Sequence, residues 1–148
     1  MSIFPTTVLL ATDGSKYAEL ATTTALDLAN GTSSELHIVF VEEPPYAYVD
    51  PSGYPFFDAE LEQELEQQAR MRLDTEVKKI RSAGGAVAEA HLRRGAAAAE
   101  IVDLAEEIGA GLIVMGSRGL GGIRRALMGS VSDAVVRHAH CPVLVVRH

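Results

Sequence analysis

A glycine-rich segment in the last third of the chain carries the residue types that hold phosphate groups. It runs from Gly116 to Ser132 and contains five glycines. Glycine admits positive φ and leaves amide N–H groups uncovered, and a helix starting after such a segment adds unpaired N–H groups and partial positive charge. Ser130 is expected to cap that helix, and Ser132 to offer its hydroxyl to a phosphate oxygen. The segment therefore predicts an anion site, with a tight strand-to-helix turn as the simpler alternative.

This segment matches neither of two common phosphate-binding motifs. A Walker A motif needs Lys-Ser or Lys-Thr after its last glycine, whereas Gly122 follows Gly121. The dinucleotide fingerprint places its glycines after the first strand, where this chain reads Ala11-Thr12-Asp13-Gly14-Ser15. Asp13 either accepts a ribose hydroxyl, helps to hold a divalent metal, or simply caps the turn. Thr12 and Ser15 are predicted to be helix-start hydroxyls.

Charged side chains near the segment leave two interpretations open. Arg118, Arg124 and Arg125 either pair with phosphates in bidentate fashion or are solvated. His138 and His140 follow the predicted fourth helix, and the sequence places no carboxylate beside them. We therefore assign neither histidine a role.

The elements that position these residues alternate short β-rich apolar runs with longer segments of helical period. Strands are predicted at 8–11, 36–41, 86–92, 112–115 and 143–146, and helices at 18–29, 61–80, 97–108 and 131–135. Gly31, Gly84-Gly85 and Gly109 are predicted to end helices. The pattern predicts an α/β fold, a single doubly wound five-stranded parallel sheet of order 3-2-1-4-5 flanked by four helices, with residues 1–148 forming one domain.

Such a sheet binds ligands beyond the carboxyl ends of strands 1 and 4, where Asp13 and Gly116 stand. The first, fourth and fifth runs are apolar and are predicted to be buried on both faces, whereas Glu89 and His91 alternate in the third run and predict an edge strand. His37 in the second run is predicted to be a packed side chain. The segment 42–66, with eight acids and no base, is predicted to be a loop and a candidate lid.

Composition narrows the class of function. The chain has 148 residues, 47% of them hydrophobic, and a net charge of −7, which argues against nucleic acid or an anionic membrane surface as partner. The charge is uneven, because residues 116–148 sum to +4 and the first 115 to −11. No apolar run approaches the ~20 residues of a membrane helix, and we expect no membrane association. The lone Cys141 fits a reducing compartment, and we expect a cytoplasmic protein.

The spacing of the glycines resembles the signature of the ATP-binding class of the universal stress protein family. The chain resembles the pattern G-x2-G-x9-G-(S/T), because two residues separate Gly116 from Gly119 and nine more separate Gly119 from Gly129-Ser130. The resemblance covers essentially the whole chain, since residues 8–15, 40–42, 112–119 and 140–146 resemble the family's first strand with its acidic turn and the family's second, fourth and last strands. It implies a Rossmann-like fold similar to that of the adenine nucleotide alpha hydrolases.

The resemblance also implies a site for ATP, ADP or AMP, with Mg or Mn bound alongside the nucleotide. The position matching Asp13 lies beside the nucleoside and is the candidate metal contact, and the backbone at the position matching Val41 meets the adenine. Ala11 replaces a proline or valine of some members, which alters the pocket wall. The remaining predicted binding residues line the ribose and phosphates or adjoin those that do: Thr12, Met115, Gly116, Ser117, Arg118, Gly119, Gly129, Ser130, Val131 and Ser132.

An apolar strand at Val143 to Val146 predicts pairing with a second copy of the chain, because an exposed apolar sheet edge invites another strand. The resemblance likewise implies a homodimer through this strand.

Three functions stay open: an ATP-binding stress-response protein that signals through nucleotide occupancy, a nucleotide-independent dimeric interaction module, and a slow ATPase. The sequence holds no P-loop lysine and no evident general base, so we predict no catalytic residue.

Overall fold

The strands and helices follow the predicted order. A computed structural model describes residues 2–43, 48–49, 51–53, 55–56, 58–117 and 129–147. The main strands are β1 (Thr7–Ala11), β2 (Glu35–Glu42), β3 (Glu89–Arg94), β4 (Ala110–Gly116) and β5 (Val143–Val146). The α-helices are α1 (Glu19–Thr32), α2 (Ala59–Ser82), α3 (Ala97–Ile108) and α4 (Ser130–His138), and a short 3-10 turn at Lys16–Ala18 precedes α1.

These five strands form one parallel sheet of order β3-β2-β1-β4-β5, which confirms the predicted topology. Strand residues alternate between two faces, so Leu10 packs toward α1 and α2 whereas Leu9 packs toward α3 and α4. Both leucines are fully buried because helices cover both faces. This arrangement explains why β1 and β4 are apolar almost throughout. Across the described ranges, each helix is too short or too polar to span a bilayer.

The two edge strands differ from the prediction in different ways. β3 is an exposed edge, as Glu89 and His91 indicated, but its pairing begins at Glu89 and extends to Arg94. β5 is half-buried along its length, so the prediction that it is buried on both faces is wrong. The reason is that β5 has a neighbouring strand only on its β4 side.

The acidic segment before α2 contains more structure than the predicted loop. Tyr48–Val49 pairs with Pro55–Phe56 in a short antiparallel hairpin. Asp58 then caps α2, its Oδ1 accepting a hydrogen bond from the N–H of Leu61 at 3.1 Å. Glu60 and Glu62 lie in the first turn of α2, where the helix dipole favours them.

The end of α1 corrects the prediction that Gly31 terminates this helix. The helix continues through Gly31 to Thr32, and Ser33 adopts the left-handed conformation with φ 56°. Gly109, by contrast, ends α3 with φ 66°, as predicted.

Substituting these two glycines should therefore change stability in opposite directions. We expect Gly31→Ala to raise the free energy of unfolding by about 0.5–1 kcal/mol, because a Cβ there meets no atom within 4 Å and alanine favours the helix interior. We expect Gly109→Ala to lower it by about 1 kcal/mol, since alanine resists positive φ. Urea unfolding measures both changes. A destabilised Gly31→Ala variant would mean that α1 ends at Gly31.

Candidate functional site

The predicted site residues on the sheet lie at its carboxyl edge. β1 has β2 on one side and β4 on the other, so the connections from these strands diverge and leave a crevice between them. Ala11, the last residue of β1, pairs with Val39 of β2 and with Met115 of β4. Because parallel strands end at the same edge, Val41 and Gly116 lie at this edge too.

The turn after β1 is held by its own side chains. Thr12 is buried, and its Oγ1 accepts a hydrogen bond from the N–H of Gly14 at 3.1 Å. Asp13 Oδ1 accepts one from the N–H of Ser15 at 2.8 Å. Gly14 has φ 74°, and a Cβ there would lie 3.2 Å from the ring of Phe40. Asp13 thus holds the turn, whereas neither Thr12 nor Ser15 caps the following helix with its hydroxyl, so their predicted role as helix-start hydroxyls is wrong. A ligand role for Asp13 stays a prediction.

Two buried oxygen atoms at the same edge stand out. Within the described part of the chain, Ser15 Oγ and Glu42 Oε1 are buried and have no hydrogen-bond partner. Ser15 follows β1 and Glu42 ends β2. Buried polar atoms are almost always paired with protein, water or a ligand, so each of these oxygens fits a group that binds here. Nothing in the sequence marks Glu42 except its place at a strand end.

The two ends of the glycine-rich segment meet at the end of β4. The N–H of Gly129 donates to the carbonyl of Ser117 at 2.7 Å, and the N–H of Ser117 donates to the carbonyl of Val146 at 2.9 Å. Ser117 and Gly129, the described residues on either side of 118–128, therefore lie together beside the crevice. Arg118, Gly119, Arg124 and Arg125 lie outside the described residues, so their predicted roles stay predictions.

Gly129, not Ser130, is the N-cap of α4, so the predicted capping role of Ser130 is wrong. Gly129 has the extended backbone of an N-cap (φ −71°, ψ 163°), and Ser130 is already helical and exposed. Ser132 is buried, and its Oγ donates to the carbonyl of Gly129 at 3.0 Å, while its predicted contact with a phosphate stays a prediction. No described side chain accepts the first N–H groups of α4, which therefore present a donor-rich, partly positive helix terminus.

The fold thus gathers most of the predicted binding residues at one edge of the sheet. Charge there is mixed, because the carboxylates of Asp13 and Glu42 follow β1 and end β2 while the amide terminus of α4 follows β4. Mixed charge of this kind suits an anion together with a cation. The residues at this edge are Ala11, Thr12, Asp13, Val41, Met115, Gly116, Ser117, Gly129, Ser130, Val131 and Ser132.

His140, a titratable group away from the crevice, differs from the prediction made from the sequence. His140 Nε2 lies 3.3 Å from Glu106 Oε1, so this histidine does have a carboxylate beside it. The pair is exposed and joins the end of α3 to the start of β5, two segments that are far apart in sequence. Burial raises the pKa of the half-buried Cys141 thiol, as expected of an unreactive cysteine.

His91 on β3 is another described titratable group whose pKa is shifted by its environment. Burial lowers the pKa of His91, an effect that His37 and Arg93 reinforce and that Glu89 and Glu107 oppose. Arg93 and Glu107 in turn form an ion pair, which raises the pKa of Arg93 and lowers that of Glu107. His91 and Arg93 lie on β3, the edge strand farthest from β5.

Comparison with known proteins finds chains of similar sequence. Residues 5–147 match the model of the Usp, or universal stress protein, family. The chain is 35% identical over 141 residues to universal stress protein MJ0531 of Methanocaldococcus jannaschii, covering 95% of this chain and 81% of that protein.

Solved structures agree with the sequence comparison. Universal stress protein UspA from Lactobacillus plantarum superposes with a TM-score of 0.80 at 27% identity, covering 97% of this chain and 99% of that one. A universal stress protein in complex with cAMP superposes with a TM-score of 0.71 at 28% identity, covering 98% of each chain.

Proposed function

The chain belongs to the universal stress protein family, and on that premise we propose that it binds an adenine nucleotide, with ATP the favoured form, in the crevice between β1 and β4. Nucleotide occupancy then serves as its signal in a cytoplasmic stress response. A family member of the same fold is known in complex with cAMP, which is itself an adenine nucleotide. We assign no catalytic residue to this chain.

The contact of Gly129 with Ser117 at the start of α4 is the observation that carries this proposal. It sets Gly129 and the start of α4 beside the end of β4, which supports a role for the first amides of α4 in the crevice. Unpaired helix N–H groups bind phosphate oxygens through hydrogen bonds and the helix dipole. We therefore place the phosphates at Gly129–Ser132, and we expect Gly116, Gly119 and Arg118 to contribute to their binding.

The nucleoside then lies toward β1 and β2. We place the adenine against the backbone of Val41 and the ribose beside Asp13, whose Oδ1 already holds the turn. The unpartnered oxygens of Ser15 and Glu42 fit polar groups of the nucleotide or a hydrated Mg²⁺ or Mn²⁺ ion, because hard divalent cations prefer oxygen ligands. Such an ion would neutralise phosphate charge next to the acidic turn.

Nucleotide addition should stabilise the folded chain. We expect Mg-ATP at ~100 times its dissociation constant to raise the free energy of unfolding by about 2.7 kcal/mol. Thermal unfolding with ATP, ADP, AMP and cAMP, each with and without Mg²⁺, measures the effect and ranks the ligands. The absence of any shift at millimolar concentration would contradict the proposal and favour the nucleotide-independent interaction module. Release of phosphate from ATP at the rate of an ordinary metabolic enzyme would instead support the ATPase function.

We also propose that the chain forms a homodimer through β5. Val143–Val146 is apolar, half-buried and the last strand on its side of the sheet. The carbonyls of Pro142 and Val146 accept hydrogen bonds from the N–H groups of Ile113 and Ser117. Because backbone groups alternate in direction along a strand, the N–H and C=O groups of Val143 and Val145 face away from β4. A second copy of β5 would satisfy them.

A further inference from the structure

A cluster of metal-ligating side chains lies at the β3 edge of the sheet, away from the nucleotide crevice. One ligand atom from each of His37, Glu89 and His91 lies within 4.8 Å of the others. The sheet register produces this cluster, because His37 of β2 is paired with Glu89 of β3 and His91 follows two residues later on the same face. His37 and His91 are 54 residues apart in sequence, so no local motif reveals the cluster.

The two imidazole rings already stand at a spacing that one metal ion would impose. His37 Nδ1 lies 3.1 Å from His91 Nε2, and the ring planes differ by 12°. Zinc–nitrogen bonds are about 2.0–2.1 Å long, so two of them at a tetrahedral angle place their nitrogens about 3.3 Å apart. The separation is thus close to that of two zinc ligands, although the contact is a hydrogen bond between the rings, and each ring must turn to aim its nitrogen at an ion.

A carboxylate lies within reach of each imidazole. Glu89 Oε2 lies 3.9 Å from His91 Nε2, and its side chain is 63% exposed, so it is free to rotate toward a bound ion. Glu35 Oε2 lies 3.6 Å from His37 Nε2, the nitrogen opposite the one that faces His91. A carboxylate that moves closer and accepts the Nε2–H would orient a metal-bound histidine and fix its tautomer.

The burial of the two histidine rings and the negative charge around them both favour binding of a cation. The side chains of His37 and His91 are 11% and 13% exposed, so their rings are held by packing, whereas the Glu89 side opens to solvent. Among the described side chains, three carboxylates (Glu35, Glu89 and Glu107) stand around the rings against the guanidinium of Arg93, which Glu107 already pairs. The surroundings therefore carry net negative charge.

We propose that His37, His91 and Glu89 form a binding site for a divalent transition-metal ion, Zn²⁺ or a chemically similar ion, with water completing the coordination. Two imidazoles and one carboxylate suit zinc, cobalt or nickel better than magnesium or calcium, which prefer oxygen ligands. The ion joins edge strand β3 to β2 and takes the place of the proton shared between the two rings.

Calorimetric titration of the metal-free full-length protein with Zn²⁺, in the absence of nucleotide, tests this proposal. We expect one site of micromolar or tighter affinity in the wild type, a loss of at least a hundredfold in His91→Gln and a loss of about tenfold in Glu89→Gln. His140→Gln is the matched control, because it removes another histidine that faces a glutamate, and it should leave the affinity unchanged.

Two further readouts keep the test independent of folding. Glu89 is exposed, so Glu89→Gln should fold normally, and circular dichroism of each metal-free variant checks the fold. In the wild type, NMR of the imidazole nitrogens should show Zn²⁺ shifting His37 and His91 but not His138. Absence of binding by the wild type, unchanged affinity in a folded His91→Gln variant, or shifts at His138 and His140 instead would each overturn the proposal.

Discussion

Gly129→Asp is expected to abolish nucleotide binding while leaving the protein folded. Gly129 has the extended backbone of a helix N-cap, which aspartate adopts readily, and no described side chain caps α4. The new carboxylate would accept the N–H groups at the start of α4 and place negative charge where we locate the phosphates. We expect the nucleotide dissociation constant to rise at least a hundredfold, which corresponds to about 2.7 kcal/mol. The thermal shift with Mg-ATP should disappear.

The stability of the same variant separates a blocked site from a damaged fold. Aspartate caps helices slightly better than glycine, so the free energy of unfolding without nucleotide should stay equal or rise by a few tenths of a kcal/mol. Gly129→Asn is the matched control, because it adds nearly the same atoms without the charge. We expect its loss of affinity to be at least tenfold smaller than that of the aspartate variant. Wild-type affinity in a folded Gly129→Asp variant would show that the phosphates do not lie at α4.

Val145→Pro is expected to convert the dimer to a monomer. The N–H of Val145 faces away from β4, so proline removes a hydrogen-bond donor from the outer edge and leaves the β4–β5 ladder intact. Sedimentation at micromolar concentration should show a dimer for the wild type and a monomer for the variant. A monomeric wild type would refute pairing through β5.

The opposite edge of the sheet offers a control for this substitution. Ala88 donates its N–H to the carbonyl of Leu36, so the N–H of the next residue, Glu89, faces away from β2. Glu89→Pro therefore also removes an outward donor from an edge strand, and we expect it to remain a dimer. A dimeric Val145→Pro variant, or a monomeric Glu89→Pro variant, would move the interface away from β5. Retained Mg-ATP stabilisation in monomeric Val145→Pro would show that binding does not require the dimer.

Sequence patterns predict the topology of this protein closely and its helix and strand ends less well. The order 3-2-1-4-5 follows from alternating apolar runs and helical periods, and α3 occupies the predicted residues 97–108. The ends of α1 and α4 differ, because Ser33 takes the left-handed conformation in place of Gly31 and Gly129 caps α4 in place of Ser130. Local propensity favours glycine at one end and serine at the other, and the packing of each helix on the sheet overrides it.

By itself, the sequence determined the family, the sheet order and the edge on which the candidate nucleotide residues lie, because each depends on patterns that are local or that recur along the chain. Only the tertiary structure decided which distant groups meet. Strand register sets His37 beside His91, packing brings His140 to Glu106, and the end of β2 buries an oxygen of Glu42 that no described group pairs. Such contacts depend on how strands align and helices pack across the whole fold, and no short stretch of sequence encodes that alignment.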